Sequence, residues 1–314
     1  MNGFKPKRSG FAESRILISR SLCGIDPDGD SMEIRQKGCV VTGAGSGIGR
    51  GIALALADAG ARGIVVADVQ LDRAEAVCSE LEAKGTMARP FLCDVRRSES
   101  VEQLAEVAWR ELGHVDILCN NAGVIATGAG FDTTDDDLRW QFEVNVYGVF
   151  NGCRAFGRRF LASGKKAWIC NTASHHAVGT PTAGVATYVA TKHAVLGFAD
   201  AFRLEYGESI GFSVLCPGII NTELWDAGRN RPAELGSAFE GSEQNHAALE
   251  AYGMSPEVVG KLVVKGIQTE EFFIWTHPYS MELVEKRYRE GRDSIQRQWP
   301  DGPLPMHKRT PGKV

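Results

Sequence analysis

No apolar run in the 314-residue chain approaches the ~18 residues that a membrane-spanning helix requires, so no transmembrane anchor is expected. Positive charge is not in excess either: 35 Lys and Arg stand against 39 Asp and Glu, for a formal net charge of −4. That balance removes the electrostatic case for nucleic acid or an anionic membrane surface as partner. The eight cysteines include no Cys-x-x-Cys pair and no Cys/His spacing of a zinc site, and no metal is expected. Five of them, Cys39, Cys93, Cys119, Cys170 and Cys216, fall in segments that read as strands, where reduced cysteine packs as a small hydrophobe. Cys23 and Cys153 have no such simple place. Disulfides are therefore not expected, and a reducing, cytoplasmic setting is.

A chain of this length is one large or two ordinary domains. No linker interrupts its middle, so residues 32–298 are expected to form a single domain, followed by a proline-marked, irregular tail at 299–314. Residues 1–31 look foreign to it. Up to Arg20 they hold Lys5, Lys7, Arg8, Arg15 and Arg20 against Glu13 alone. That composition resembles an organelle transit peptide. The plainer reading is a disordered extension, or translation begun upstream of a natural start at Met32, which sits just before the first strand.

What is present is organised around Cys39-Val40-Val41-Thr42-Gly43-Ala44-Gly45-Ser46-Gly47-Ile48-Gly49. An apolar run breaks into a glycine-dense turn, after which Ile48, Ile52 and Leu56 recur at four-residue spacing: strand, turn, helix. Glycine lets the backbone come close to a ligand, and a helix N-terminus presents free N–H groups to an anion, so a pyrophosphate is the expected ligand. The spacing of Gly43, Gly47 and Gly49 does not fit the Gly-x-Gly-x-x-Gly fingerprint, and no Lys-Ser/Thr pair follows as in a Walker loop. A plain tight strand–helix connection is the alternative. The next strand, Gly63 to Asp68, ends on a carboxylate 19 residues past Gly49, near the ~20 expected for an acid that takes the adenosine ribose hydroxyls. A carboxylate there repels a 2′-phosphate, which favours NAD over NADP. Ser46, before Gly47, is neutral, and Arg50 lies past the turn.

Further along, Ala74, Val77, Cys78 and Leu81 share a helical face and Gly85 stops the helix. Met87 to Asp94 reads as a third strand whose Pro90 cannot donate to a ladder, so it should lie on a sheet edge. Asp94 and Val95 then sit at its carboxyl end, where ligands collect. Ser98 is the candidate cap of a helix that turns Val101, Leu104, Ala105, Ala108 and Leu112 inward. Val115 to Cys119 is the fourth strand, running into Asn120-Asn121-Ala122-Gly123, where small residues let backbone crowd a ligand and side-chain amides tie neighbouring strands; an Asx turn is the alternative. Thr134 with Asp135, Asp136 and Asp137 starts a helix expected to run past Asn145 towards Leu161. An asparagine inside a long helix works against helix propensity and invites a reason.

Ala167 to Thr172 is the fifth strand, ending at Ala173-Ser174. The helix expected over Ala186 to Glu205 stacks Tyr188 and Lys192 one turn apart on one face. Phe212 to Cys216, stopped by Pro217-Gly218, is the sixth strand. Residues 221–254, with Trp225, Pro232, Phe239 and His246, read as a long irregular loop of the kind that covers a substrate. Ser255-Pro256-Glu257 opens another helix, Phe272 to Thr276 is the seventh strand, and a charged helix follows from Tyr279. The expected fold class is α/β: a three-layer, doubly wound parallel sheet, or Rossmann fold, of about seven strands in the order 3-2-1-4-5-6-7.

Taken together, Thr42-Gly43-x-x-x-Gly47-x-Gly49, Asn120-Asn121-Ala122-Gly123, Ser174, Tyr188-x-x-x-Lys192 and Pro217-Gly218-x-x-x-Thr222 resemble the motifs of the short-chain dehydrogenase/reductase superfamily. They stand in that family's order across about residues 36–280. The resemblance implies hydride transfer between a secondary alcohol and a ketone, with Tyr188 as general acid/base, Lys192 as its pKa partner and ribose anchor, and Ser174 holding the substrate oxygen. Asn145 matches the family's helix asparagine, which holds a proton-relay water. Ile220 and Thr222 would seat the nicotinamide amide, Asp94 and Val95 the adenine, and Asn121 the ribose side. Gly43, Ser46, Gly47, Ile48, Gly49, Asp68, Ala122, Gly123, Pro217 and Gly218 would complete the cofactor site, with Tyr188 and Lys192 also touching it. A homodimer or homotetramer through the helices carrying Asn145 and Tyr188 is likewise implied.

The chemistry is physically reasonable. Free tyrosine, with a pKa near 10, is a poor base at neutral pH; an ammonium one turn away and the cofactor's positive ring would lower it. Ser174 beside His175 and His176 suggests a hydrolase triad, but adjacent residues seldom face one another and no Gly-x-Ser-x-Gly elbow surrounds the serine. Whether either histidine touches substrate stays open. The substrate is expected to be a bulky, partly apolar small-molecule alcohol or ketone. Asn230-Arg231-Pro232 through Ala248 and Ile274-Trp275-Thr276-His277-Pro278 are more loosely similar to dehydrogenases of benzylic alcohols in lignin-type aryl ethers. An NADPH-dependent ketone reductase is the nearest rival. A non-catalytic NAD sensor or a methyltransferase would not need Asn145, Ser174, Tyr188 and Lys192 together.

Overall fold

Seven short apolar segments pair as parallel strands in the computed structural model, which describes residues 32–236 and 243–300. They are β1 (Gly38–Thr42), β2 (Gly63–Asp68), β3 (Met87–Leu92), β4 (Ile117–Asn120), β5 (Ala167–Thr172), β6 (Ile210–Cys216) and β7 (Phe273–Trp275). Their order is β3-β2-β1-β4-β5-β6-β7, as the sequence predicts. β1, β4 and β5 are buried at every position, which is why they read as continuous apolar runs rather than alternating ones. Pro90 lies in β3, which pairs with β2 alone, so its missing N–H faces an open edge.

Helices cover both faces. α1 (Gly47–Asp58), α2 (Leu71–Ala83) and α8 (Pro256–Gln268) pack on one side, around Ile52, Leu56, Leu81 and Val263. α3 (Ser98–Leu112), α5 (Gly148–Ser163) and α6 (Ala186–Tyr206) pack on the other, around Leu104, Phe156, Phe160 and Val195. The remaining helices are α4 (Asp135–Phe142), α7 (Glu243–Tyr252) and α9 (Ser280–Gln298). Strand order reverses between β1 and β4, and the loops leaving these strands part there to leave a cleft. Among the described residues, no helix is long and apolar enough to cross a membrane.

Several elements differ from the sequence expectation. The helix begun at Thr134, closed by a reciprocal Thr134–Asp137 capping box, is interrupted by a π-helical turn at Glu143–Tyr147 before α5 continues it. Ser98 does not cap α3; it is the first helical residue, behind Arg97. The preceding loop is closed instead by Ser100, whose Oγ accepts from the Asp94 amide at 3.2 Å. β3 stops at Leu92, so Cys93 lies one residue past it, and β6 begins earlier, at Ile210. Cys153 falls on α5, its thiol set among the buried Asn120 and Asn171 amides.

The described residues of 221–254 are not an irregular loop. They contain 3₁₀ turns at Glu223–Asn230 and Ala233–Leu235 as well as α7. The base of this cover is closed by a bridge from Ile220 to Met254, with Asn221 N donating to Met254 O at 2.9 Å and Met254 N to Ile219 O at 3.0 Å. Phe239, the side chain of His246, residues 1–31 with Cys23, and the tail beyond Pro300 lie outside the described residues. Met32 is buried in the core against the α1 side of the sheet.

α1 and α8 meet backbone to backbone. A Cβ on Gly51 would strike the Pro256 carbonyl, and one on Gly260 the Gly51 carbonyl. Gly51→Ala is therefore expected to lower stability by about 1–3 kcal/mol, the usual cost of overpacking, read as a lower urea midpoint at unchanged slope. An unshifted midpoint would mean that the two helices separate freely.

Candidate active site

The cleft at the carboxyl ends of the strands has a volume of about 880 Å³ and runs from the glycine turn to the start of α6, bordered by residues between 222 and 234 and by Leu249. At one end, Gly43 and Gly47 take φ of 62° and 51°, a left-handed conformation that side-chain-bearing residues rarely adopt. A Cβ on Gly43 would sit 2.7 Å from Ala122 Cα, so the turn lies against the β4 loop. Ser46 precedes α1 without capping it, and the first amides of the helix remain for a ligand. Asp68 leans across the turn: its carboxylate accepts from Gly45 N and from Gln70 N, each at 2.9 Å.

The cations nearby are already engaged. Arg73 pairs with Glu223 at 2.5 Å, and Arg50 with Glu80 at 2.6 Å and Glu257 at 2.9 Å. Arg96 grips Asp94, with Nη2–Oδ2 at 2.7 Å and Nε–Oδ1 at 3.0 Å, and reaches Glu143 at 3.6 Å. Sequence reasoning missed Arg96. The Asp-x-Arg spacing, which lets Arg96 N also donate to Asp94 Oδ1 at 3.1 Å, is shared with ordinary solvated turns and did not single it out. Val95 lines the cleft, its carbonyl accepting from Asn151 at 3.0 Å.

Where the strands part, Thr42 Oγ1 accepts from the amides of Asn121 at 3.0 Å and Ala122 at 3.2 Å, while Asn121 Nδ2 returns to Thr42 O at 3.1 Å. Asn120 turns inward and donates to Asn171 Oδ1 at 2.9 Å. The two amides thus divide their work: Asn121 borders the cleft and Asn120 ties β4 to β5.

At the far end Ser174, Tyr188 and Lys192 converge. Burial pushes the Tyr188 pKa up to about 12, a shift that the neighbouring Ser174 hydroxyl only tempers. The Lys192 ammonium donates to Thr172 O at 2.9 Å and lies 5.5 Å from the centre of the Tyr188 ring. Burial draws its pKa down to about 8. The expected lowering of Tyr188 by Lys192 is therefore absent from the protein alone: both groups are desolvated, and desolvation drives each towards its neutral form.

Asn145 is fully buried behind this group and does not line the cleft. Its Oδ1 accepts from Val124 N at 2.8 Å, and its Nδ2 donates to Val124 O at 2.9 Å and Thr191 Oγ1 at 3.0 Å. Thr191, which sequence reasoning missed, donates its own hydroxyl to the Tyr188 backbone carbonyl at 2.7 Å. Gly49 is likewise beneath the cleft, where a Cβ would strike the Gly43 carbonyl. Every other residue expected in the site borders the cleft. Ile125, Val185, Leu224 and Trp225 form an apolar wall beside Tyr188. The cover is held down by Arg231, which pairs with Asp137 and lies 5.3 Å from the Trp140 ring.

A family model described as short chain dehydrogenase matches residues 37–232. The chain belongs to the short-chain dehydrogenase/reductase family. It is 33% identical over 264 residues, 81% of this chain and 85% of the other, to a C alpha-dehydrogenase of a Sphingobium species, which bears out the looser likeness to lignin-type dehydrogenases. It is 35% identical over 236 residues, 74% of this chain, to the probable oxidoreductase EphD of Mycobacterium tuberculosis, but spans only 39% of that protein's length. Among solved structures, a short-chain dehydrogenase/reductase from Burkholderia phymatum in complex with NAD superposes with a TM-score of 0.76 at 33% identity, covering 87% of this chain and 99% of the other.

The buried lysine has a measurable consequence. Its folded pKa of about 8 lies below the 10.5 of free lysine, so the unfolded chain binds more protons between these values and stability rises with pH across that window. Below pH 8 the fold carries the full cost of a buried ammonium. Lys192→Met removes that cost while leaving the Thr172 carbonyl without its donor, for a net gain of about 1–2 kcal/mol at pH 7. Urea unfolding of both proteins should show this advantage at pH 7 and its disappearance by about pH 10.

Proposed function

We propose that this enzyme oxidises an uncharged, bulky secondary alcohol to a ketone using NAD, with Tyr188 as general acid/base. The reading is carried by one observation: a single cleft joins the glycine turn and its Asp68 carboxylate to the buried Ser174–Tyr188–Lys192 group. A dinucleotide fits the residues present, since the turn needs glycine at positive φ, the amides at the start of α1 lack a side-chain cap, and a carboxylate stands where ribose hydroxyls would bond. Asp68 beside arginines already paired with glutamates supports NAD over NADP, because among the described residues Arg50 and Arg73 are not left free for a 2′-phosphate. When bound, the nicotinamide supplies the hydride acceptor and a positive ring.

The side chains then divide the proton chemistry. Ser174 Oγ accepts from His176 N at 3.2 Å, which orients the hydroxyl towards Tyr188 and the substrate oxygen. Tyr188 takes the carbinol proton as the carbon–hydrogen bond breaks, and returns it in the reverse direction. With burial holding its pKa near 12, the phenolate needs positive charge close by. Lys192, largely protonated at pH 7, supplies part of it and would anchor the cofactor's ribose. Asn145 and Thr191 hold the backbone around them.

The substrate is read as uncharged because, among the described residues, every arginine lining the cleft is paired with a carboxylate and the wall by Tyr188 is apolar. Residues 32–298 are read as the working domain with 221–254 as its cover, assembled as a homodimer or homotetramer in the cytoplasm. The seven described cysteines, all free and buried, support a reducing setting.

Tyr188→Phe is expected to lower kcat for secondary alcohols by about 10²–10⁴-fold while NADH affinity, titrated by fluorescence, changes by less than about threefold. Retained turnover in that variant would sink the reading. In the same titration NAD should bind better than NADP, and Asp68→Ala should erase the preference; a wild-type preference for NADP overturns the cofactor assignment.

A further inference from the structure

Arg73 stands in the first turn of α2, at the positive end of that helix, where a cation is disfavoured. It also stands beside Asp68. A Cβ on Gly45 would meet Arg73 Cβ at 2.8 Å and Asp68 Cγ at 2.9 Å, so both side chains lie against one spot on the glycine turn. The group that compensates the cation comes from the cover. Arg73 Nη1 donates to Glu223 Oε2 at 2.5 Å, and among the described residues no other side chain pairs with the guanidinium. The same Oε2 takes Arg229 Nη2 at 3.0 Å, but Arg229 has further partners in the carbonyls of Glu223 at 2.7 Å and Asp226 at 3.0 Å. Removing the Glu223 charge therefore releases Arg73, while Arg229 stays tethered and Arg50 stays with Glu80 and Glu257.

Space does not keep a 2′-phosphate out of this corner. Arg73, Thr222 and Glu223 border both the cleft and a neighbouring cavity of about 460 Å³, which Gly45 and Ser46 also line. Discrimination here must therefore be electrostatic, and it has two halves. Asp68 repels a phosphate, whereas Glu223 occupies the cation that would bind one. A guanidinium released from its carboxylate is well suited to that task, because its fork matches phosphate oxygens as it matches carboxylate ones.

We propose that Glu223 is a cofactor-selecting residue: by occupying Arg73 it denies the 2′-phosphate of NADP the cation beside Asp68, so that the choice of NAD depends on a side chain of the cover as well as on Asp68. This rests on the NAD-dependent function proposed above and adds a residue to it. Thr222, immediately before Glu223, packs on the glycine turn, where a Cβ on Gly47 would lie 3.2 Å from its Cγ2. Seating the cover on the turn and occupying Arg73 are thus one arrangement.

Fluorescence titration with NADH and NADPH reads the preference without turnover. In the Asp68→Ala background, where the two dinucleotides are expected to bind alike, Glu223→Gln should tighten NADPH about tenfold relative to NADH and so invert the wild-type preference. Adding Arg73→Met should return the ratio close to unity, and high salt should shrink the gain. The Glu223 side chain is 51% exposed, so its amide disturbs no core, and NADH binding reports that each variant is folded. Weakening of NADH and NADPH by the same factor would show that Glu223 only seats the cover. A gain for NADPH that survives Arg73→Met would show that Glu223 acts by repulsion alone. Either result, or a ratio that does not move, overturns the inference and leaves NAD as the cofactor. A wild-type preference for NADPH overturns the NAD reading and the inference with it.

Discussion

A ladder of buried polar side chains holds the sheet together at the place where its two halves part. Strand order reverses between β1 and β4, so the connections leaving these strands diverge and no helix lies between them. The backbone groups exposed by that divergence are claimed by Thr42 and Asn121, and one strand further on Asn120 and Asn171 join β4 to β5 amide to amide. Thr172 Oγ1 donates to Asn121 Oδ1 at 3.3 Å and closes the ladder. Buried polar groups that are satisfied in this way rigidify, whereas one left open would be costly, so the ladder fixes the width of the cleft mouth. The glycine turn, the β4 loop and the Thr172 carbonyl that receives Lys192 all hang from it.

Desolvation is the common currency of the reactive end. It draws Lys192 down and lifts Tyr188, opposite displacements with one cause, and leaves two histidines neutral within reach of Ser174. A charge arriving in such a place acts strongly, because little water remains to screen it. On the proposed function, the same dryness would leave the protein alone a poor base and would couple proton transfer to occupancy of the cleft. The stability lost in burying an ammonium is the counterpart of that coupling.

The parallel sheet was legible because the strands are short, mostly apolar runs, several of them closed by a glycine, asparagine or proline as at Gly43, Asn120 and Pro217, and Pro90 alone placed β3 at an edge. Asp68 could be found from spacing, since the helix between β1 and β2 must span a fixed length. Arg96 could not: an arginine two residues after an aspartate is usually a solvated turn, and only the approach of Glu143 makes it part of the cleft. The order within 221–254 was hidden for a related reason. Its restraints, Arg231 on Asp137 and Ile220 on Met254, are contacts between distant segments that local composition does not encode. Polar, proline-broken sequence reads as loop whether or not such partners exist.

The π-turn shows how a feature invisible to propensity can decide a site. Glu143–Tyr147 has the composition of ordinary helix, and each residue of an α-helix advances the face by about 100°. One extra residue in the turn therefore swings everything after it relative to everything before. Ahead of it, the capping box and Trp140 face Arg231 and the cover; after it, Phe156 and Phe160 face the sheet. A regular helix has one register and could not satisfy both faces. Asn145, inside the turn, is released from the usual ladder to grip both backbone groups of Val124 and the Thr191 hydroxyl. The π-turn gives up regular hydrogen bonds, and such turns persist mainly where an irregular backbone places a side chain that a regular one cannot. The asparagine that looked misplaced in a long helix is thus the residue for which the helix is broken.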